Sequence, residues 1–178
     1  MICTQTLSQN NPAMAGQRVT GGSRSTDLAR SLAGLVETNR ASNALYREAA
    51  AACPDAAVRA DLTLLALSML EHEVQLHAAA ESIGCTLRSA PTPAGAAFRR
   101  AVQRPGVNRA STAGLLATCV RGAQASIEAY DAVASGSIPP AIQDLLTRHC
   151  EQLVTAIEQL WALEQEAPDA IQPLGVAA

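Results

Sequence analysis

The sequence is short of aromatic residues and contains no lysine. Phe, Trp and Tyr make up 2% of its 178 residues, and all 13 basic residues are arginine. Scarce aromatic and β-branched side chains argue against a β-sandwich. The chain nevertheless has 48% hydrophobic and only 16% charged residues, which argues against a long disordered protein. Alanine supplies about a fifth of the chain, so the composition predicts a single all-α domain.

An excess of positive charge is also missing. The formal net charge is -3 and the isoelectric point is near 5.6, so little positive charge is left to neutralise a phosphate backbone. No apolar stretch approaches the roughly 18 residues of a membrane helix, and the N-terminus lacks the basic start and apolar stretch of a signal peptide. We therefore expect a cytoplasmic protein that binds neither nucleic acid nor membranes. The most closely spaced basic residues are Arg99, Arg100, Arg104 and Arg109. We expect this cluster to lie in a solvent-exposed connector between helices.

Paired cysteine motifs are absent as well. The chain has five cysteines, an odd number, and no Cys-x-x-Cys spacing, which argues against a zinc ribbon or a redox dithiol. Widely spaced cysteines in apolar surroundings are typical of reduced core residues in a cytoplasmic protein. The cysteines are Cys3, Cys53, Cys85, Cys119 and Cys150.

Apolar spacing and capping residues predict four long helices. In the second, Val58, Leu62, Leu65, Met69, His72, Leu76, Ala79 and Ile83 alternate at spacings of four and three. The fourth repeats this pattern in Ile142, Leu146, His149, Leu153, Ala156, Leu160 and Leu163. The predicted helices span 27–52, 55–83, Asn108 or Ser111 to about 135, and Ser137 to about 166.

The turns between these helices predict the architecture. Short turns at Pro54 and Gly136 make each flanking helix pair an antiparallel hairpin. The connector over 85–110, with a short helix at about 94–103, is long enough to cross a bundle. We therefore predict a ferritin-like four-helix bundle in which a long crossover joins two helical hairpins; a simple up-down bundle is the alternative.

The chain ends are predicted to lie outside this bundle. The polar, aperiodic residues 1–24 are expected to form a flexible N-terminal tail. The folded domain then spans 25–166, and 167–178 form a flexible C-terminal tail.

Four stretches resemble the bacterial ferritin-like four-helix-bundle proteins of unknown function, some of which occur among stress-associated genes. The stretches are LAGLVETNRASNALYREAAAACPDAAVRADL, LSMLEHEVQLHAAAESIGC, CVRGAQASIEAYDAVASGSIPPAIQDLL and QLWALE. The resemblance covers about residues 26–165 and implies mainly the fold, because no reaction is assigned to that family. Family members often carry acidic or polar residues where this chain has Ala41, Ala44, Val120 and Ala123.

Two histidines are the candidate metal ligands. A di-iron carboxylate bundle needs Glu-x-x-His on two helices, and this motif is absent. If the crossover is long, His72 and His149 lie at one height inside the bundle with Glu73 beside them, a ligand set that suits Fe or Zn. The alternative is a pair of core histidines that are hydrogen-bonded to a helix carbonyl or to Asn39, Asn43 or Ser126.

The other carboxylates are expected on solvated helix faces. Glu37 and Glu48 share one stripe of the first helix, and Glu128 lies on a polar stripe of the third. If Glu48 or Glu128 turned inward instead, either could add a metal ligand.

No nucleophile elbow, phosphate loop or other catalytic motif marks the chain as an enzyme, and no cofactor motif is present. The first functional hypothesis is a non-enzymatic interaction or structural protein with a degenerate metal site, in which Ala-rich faces and Trp161 contact a second copy or another protein. The alternative is a metal-binding stress-response protein that uses the inner histidines and carboxylates. A small-molecule pocket inside the bundle is a third class.

Overall fold

Helices are the only regular secondary structure in the described part of the chain, as the composition predicts. The computed structural model describes residues 19–87, 91–103 and 111–166. Four long helices and one short helix account for most of these residues. They are α1 (Val19–Ala52), α2 (Ala56–Ser82), α3 (Pro93–Val102), α4 (Thr112–Ala134) and α5 (Pro140–Glu166).

Polar side chains and one glycine set the helix ends close to the predicted positions. The Asp55 carboxylate accepts hydrogen bonds from the first backbone N–H groups of α2, at 2.8 and 3.0 Å. The Thr92 and Ser111 hydroxyls do the same for α3 and α4, each at 3.1 Å. After α2 the chain turns at Gly84, whose φ of +72° favours glycine.

The start of α1 differs from the prediction. The helix begins at Val19, eight residues before the predicted start, so 19–24 are helical although the sequence assigned them to the tail. The first residues of α1 resemble a linker in sequence because they include Gly21, Gly22 and Ser23. Glycine and serine have low helix propensity. The rest of the predicted N-terminal tail and the predicted tail over 167–178 lie outside the described residues.

Contacts between side chains fix the directions of the long helices. Between α1 and α2, Asn43 donates to the Ala66 carbonyl at 2.7 Å and Arg40 pairs with Glu73, so the two helices are antiparallel. The other contacts are Asn39–Tyr130 and Ser42–Ser126 between α1 and α4, and His72–Gln152 and Gln75–His149 between α2 and α5. Both of these helix pairs are antiparallel too. Consequently α2 and α4 run in the same direction, unlike the second and third helices of a simple up-down bundle.

Alanine and serine let α1 and α4 approach closely. The Ser42 and Ser126 hydroxyls meet at 3.0 Å, and each also bonds a carbonyl one turn earlier in its own helix. Neither side chain holds the backbones apart. The core around this contact combines leucines with fully or nearly fully buried Ala49, Ala66, Ala80 and Ala123. The scarcity of bulky aromatics is thus matched by close helix packing.

The short helix α3 packs on α1 and α4 and is held by Glu37. The Glu37 carboxylate accepts bonds from the Thr92 N–H and hydroxyl, both at 2.5 Å, and from Arg99 at 2.8 Å. A Cβ at Gly95 would collide with that carboxylate, so a larger residue there would have to displace Glu37 from its bonds to Thr92 and Arg99. Burial raises the pKa of Glu37, but the bonds from Thr92 and Arg99 outweigh it and hold that pKa below its usual value. The expectation of a solvated Glu37 is therefore wrong.

The cysteines of the described ranges are free thiols, in line with reduced core residues. Cys53, Cys85 and Cys119 are buried, and Cys150 is half-buried. Burial raises the pKa of the Cys119 thiol to about 12, which keeps it protonated and unreactive at neutral pH.

A buried histidine pair and an apolar helix face as candidate functional sites

His72 of α2 and His149 of α5 meet inside the helix assembly. Each occupies a position in the buried row of its helix and is almost inaccessible, at 2% and 1% exposure. The two rings are stacked with centroids 3.8 Å apart and planes 11° from parallel. The Tyr130 ring meets both edge-on. Thus the two histidines lie at one height.

Each histidine binds a glutamine that belongs to the other helix. His72 Nε2 lies 2.6 Å from Gln152 Oε1, and His149 Nε2 lies 2.8 Å from Gln75 Oε1. Each glutamine follows a histidine by three residues, so His-x-x-Gln occurs once on α2 and once on α5. Because residues three apart share a helix face, the two antiparallel helices exchange two equivalent hydrogen bonds.

The surrounding bonds fix which ring nitrogen of His149 carries the proton. Gln75 donates its amide N–H to Glu71 at 2.9 Å, so its oxygen faces His149 and accepts from His149 Nε2. The other nitrogen, His149 Nδ1, is therefore an acceptor, and the Tyr130 hydroxyl donates to it at 3.1 Å. Asn39 in turn donates to the Tyr130 oxygen at 2.8 Å. A directed chain of hydrogen bonds thus runs from α1 through α4 and α5 to α2.

Both rings are held in the neutral form. Burial lowers the pKa of His72 below its ordinary value, although the bond to Gln152 and the charge of Glu71 oppose this. Burial, the neighbouring His72 and the charge of Arg148 lower the pKa of His149 to about 3. Two neutral imidazoles can stack at 3.8 Å, whereas two imidazolium ions at that distance would repel each other strongly.

Two buried acceptor atoms beside this chain have no partner among the described residues. They are Nδ1 of His72, which is opposite the nitrogen that donates to Gln152, and the amide oxygen of Asn39. An unpaired buried acceptor costs roughly 1–3 kcal/mol. These atoms are available for a proton donor, and the nitrogen is also available for a metal ion.

The predicted carboxylates do not join the histidines. Glu73 follows His72 by one residue and points instead toward α1, where it accepts a hydrogen bond from Arg40 Nε at 2.8 Å. Its carboxylate also lies 3.8 Å from Nε2 of His77, one turn later on α2. Glu48 and Glu128 are both exposed.

A carboxylate-rich di-metal centre does not fit these residues. The described parts of the chain contain no cluster of three or more His, Cys, Asp or Glu that could hold a metal ion. At the pair itself, both Nε2 atoms donate to glutamines and His149 Nδ1 accepts from Tyr130. This leaves one free ring nitrogen, whereas Fe or Zn sites usually have at least three protein ligands.

The sequence reasoning missed the residues that organise the histidines. A repeated His-x-x-Gln on two helices was the available signal, but the search was for carboxylates. Of the hydrogen-bond partners considered, Asn39 reaches His149 only through Tyr130. Asn43 binds a carbonyl of α2, and Ser126 binds Ser42.

The outward face of α2 is unusually apolar. Leu64, Leu67, Leu70 and Val74 are 64, 55, 44 and 67% exposed. They lie on the side of the helix that faces away from Leu62 and the other core residues of α2. Large aliphatic side chains grouped on an exposed face commonly mark a protein–protein contact. We call the solvent-facing side of α2 between Ala60 and Ala78 the outward face.

Other exposed features are smaller. Trp161 and Val154 lie on α5, each 46% exposed. A groove of about 360 Å³ lies at the surface between α3 and α4, lined by Arg100, Ala101, Arg121, Gln124, Ala125 and Glu128. No helix in the described ranges is both long and apolar enough to cross a membrane.

Comparison with protein-family models and with curated proteins finds no match to this chain.

Proposed function

We propose that this protein is a non-catalytic structural protein that associates with a second copy of itself through the outward face of α2. The observation that carries the proposal is the exposure of four large aliphatic side chains on one side of that helix. Burying a leucine or valine side chain contributes about 1.5–3 kcal/mol. Four of them on each copy can offset a substantial part of the entropy lost on association.

The spacing of the outward face favours a helix as the partner. One row of this face recurs at intervals of four and three, the repeat by which two helices pack along a shared seam. Its members are apolar except for one glutamate: Ala60, Leu64, Leu67, Glu71, Val74 and Ala78. The row is about 27 Å long at 1.5 Å per residue. A second copy supplies a face of the same length and spacing, and two-fold homodimers are the commonest assemblies.

Within this proposal the histidine pair has a structural role. The exchanged bonds between α2 and α5 specify one register of the two helices, because a shift by one turn would leave four polar side chains unpaired. The α2 backbone is thereby held in place while its opposite side stays free to bind. For the single chain we propose the ferritin-like arrangement of helices that the resemblance implies. The common direction of α2 and α4 supports this proposal.

The direct test is the mass of the protein in solution across a range of concentrations. We expect light scattering to show a rise from 18.4 kDa toward twice that mass. Leu67→Gln should shift the rise to higher concentration. Val154→Gln removes an aliphatic side chain of comparable exposure from α5 and should leave the rise unchanged. A strict monomer at every concentration would contradict the proposal.

Metal binding at the histidine pair is the second candidate function. The unpartnered, buried Nδ1 of His72 supports it, with Fe or Zn as the metal. The test measures bound metal by native mass spectrometry after addition of Fe(II) or Zn(II). His72→Ala and His149→Ala should lose the metal, while His77→Ala, a more exposed histidine of α2, should keep it. Equal, sub-stoichiometric metal in all four proteins would exclude this function.

A further inference from the structure

The surface groove between α3 and α4 is open because small side chains line part of it. Ala101 of α3 and Ala125 of α4 both line the groove, and neither side chain is large enough to fill the space between the helices. Its volume of about 360 Å³ lies at the lower end of the range for small-molecule sites. A Cβ at Gly122 would lie 3.4 Å from the Phe98 ring, so α3 and α4 are in close contact beside the groove.

Charged side chains of both signs line the groove, and they form no ion pair among the described residues. They are Arg100 in the last turn of α3, and Arg121 and Glu128 of α4. Arg121 and Glu128 are seven residues apart, so they lie on one face of α4 about 10 Å from each other along its axis. Arg121 leans toward the start of α4, away from Glu128, because it donates to Thr118. Along α4 the groove therefore runs from a positive to a negative side chain.

The Arg121 guanidinium is held in place by its own helix. Thr118 is 2% exposed and donates its hydroxyl proton to the Gly114 carbonyl at 2.9 Å, which leaves the hydroxyl oxygen as an acceptor. Arg121 Nη2 donates to that oxygen at 2.9 Å. The buried Nε of Arg121 has no partner among the described residues, so the guanidinium retains donor capacity for a further acceptor. An arginine that is already ordered loses less entropy when it binds a carboxylate.

From this arrangement we infer that the groove binds a short zwitterionic peptide, with the peptide carboxylate at Arg121 and its ammonium group at Glu128. A guanidinium binds a carboxylate through paired N–H donors, and a carboxylate in turn accepts from an ammonium group. Gln124 lies between the two charges along α4 and offers both a donor and an acceptor to a peptide group. This binding is separate from the proposed self-association, because the groove shares no residue with the outward face of α2.

The charges and the length of the groove argue against other small ligands. Glu128 would repel the second carboxylate of a dicarboxylate, and the two arginines would repel a diamine. A single α-amino acid is too short, because its charged groups are attached to one carbon atom whereas Arg121 and Glu128 are two helical turns apart. A peptide of about three residues spans this distance, since an extended chain covers about 3.3–3.6 Å per residue.

Titration of the intact protein with triglycine, followed by two-dimensional NMR of the backbone amides, tests the binding. We expect saturable shifts at 100–101 and 121–128 with a dissociation constant on the order of 1 mM. N-acetyl-triglycine lacks the ammonium group and triglycine amide lacks the carboxylate, so each should bind about fivefold more weakly. No saturable shift in the groove up to about 20 mM triglycine would overturn the inference. Equally tight binding of N-acetyl-triglycine would indicate a simple anion site and would also overturn it.

Variants that neutralise one charge assign the two ends of the peptide. Arg121→Gln should weaken triglycine binding about fivefold but should not weaken binding of triglycine amide, which has no carboxylate. Glu128→Gln should weaken triglycine binding to the same extent but should not weaken binding of N-acetyl-triglycine. Arg148→Gln and Glu151→Gln neutralise exposed residues of α5 and should leave all three affinities unchanged. Equal losses in the control and groove variants would mean that only net charge matters, which would overturn the inference.

The self-association and the peptide binding can fail independently. Leu67→Gln should alter the mass of the protein in solution but not its affinity for triglycine, and Glu128→Gln should do the reverse. The amide spectra of these variants also report whether each one keeps the native fold. Loss of triglycine binding in folded Leu67→Gln, with binding retained in Glu128→Gln, would place the peptide on α2 and overturn the inference.

Discussion

The inner and outer faces of α2 contain similar aliphatic residues but meet different surroundings. The inner face packs Leu62, Met69 and Leu76 in the core and also contains His72, the one polar residue of the inner row. The outward face presents Leu64, Leu67 and Val74 to solvent. The polar residue is buried because α5 supplies a hydrogen-bond partner, and the aliphatic residues are exposed because no helix among the described residues covers them. Hydropathy alone therefore does not identify which face of a helix is buried.

Truncation of a core leucine should show the largest difference between the two faces. Leu76 is fully buried, so Leu76→Ala should lower the free energy of unfolding by about 2–5 kcal/mol. Val74→Ala, on the exposed side of the same turn, should change it by less than about 0.5 kcal/mol in dilute solution. Urea denaturation of both variants provides the measurement. Equal losses would mean that the inner face is not packed as described.

Acid should destabilise the inner face through its histidines. The pKa of both rings is lower in the folded protein than the ordinary value of 6.5, and that of His149 is about 3. Between these values the unfolded chain binds more protons than the folded one, so stability falls as pH falls. The loss per histidine is at most about 1.4 kcal/mol per pH unit, and it ends once the folded protein is also protonated.

This effect can be isolated by comparing urea denaturation at pH 7, 6, 5 and 4 in wild type and in His72→Gln/His149→Gln. The double variant removes the two titrating rings, so its stability should fall less steeply below pH 6. Parallel pH profiles would show that the rings do not titrate as the buried geometry requires.

Two buried tyrosines offer a smaller and sharper contrast. The Tyr130 hydroxyl bonds His149 and Asn39, so Tyr130→Phe should cost about 1–3 kcal/mol because both partners stay buried. Tyr46 is equally buried, but its hydroxyl has no partner within the described residues. Tyr46→Phe should therefore be neutral or stabilising in the same denaturation experiment. A Tyr130→Phe variant as stable as Tyr46→Phe would contradict the proposed hydrogen-bond chain.

The sequence predicted helix positions better than it predicted the partners of polar side chains. Capping residues and apolar spacing placed the ends of α2 and α5 within three residues of those observed. Matching the heights of the two helices predicted that His72 and His149 would be level. Glu73 was assigned to the same site, yet successive helical residues point about 100° apart, so it faces α1. Glu37 was unpredictable for another reason: its partners lie on a crossover segment whose path is set by tertiary packing.

The outward face of α2 was overlooked because two apolar rows overlap in one sequence. The inner row of alternating four and three spacings accounted for the helix, and the leucines between those positions were not assigned to a surface. Only the placement of α1 and α5 on the other side of α2 shows which leucines are left exposed.

The central claim is that a second copy covers this face, and a single-site labelling rate tests it most directly. With Cys3 and Cys150 replaced by serine, Leu67→Cys and Val154→Cys each provide one exposed thiol for a maleimide probe. We predict that labelling of Cys at position 67 slows as protein concentration rises, while labelling at position 154 stays constant. Rates at both positions that are independent of concentration would contradict the account.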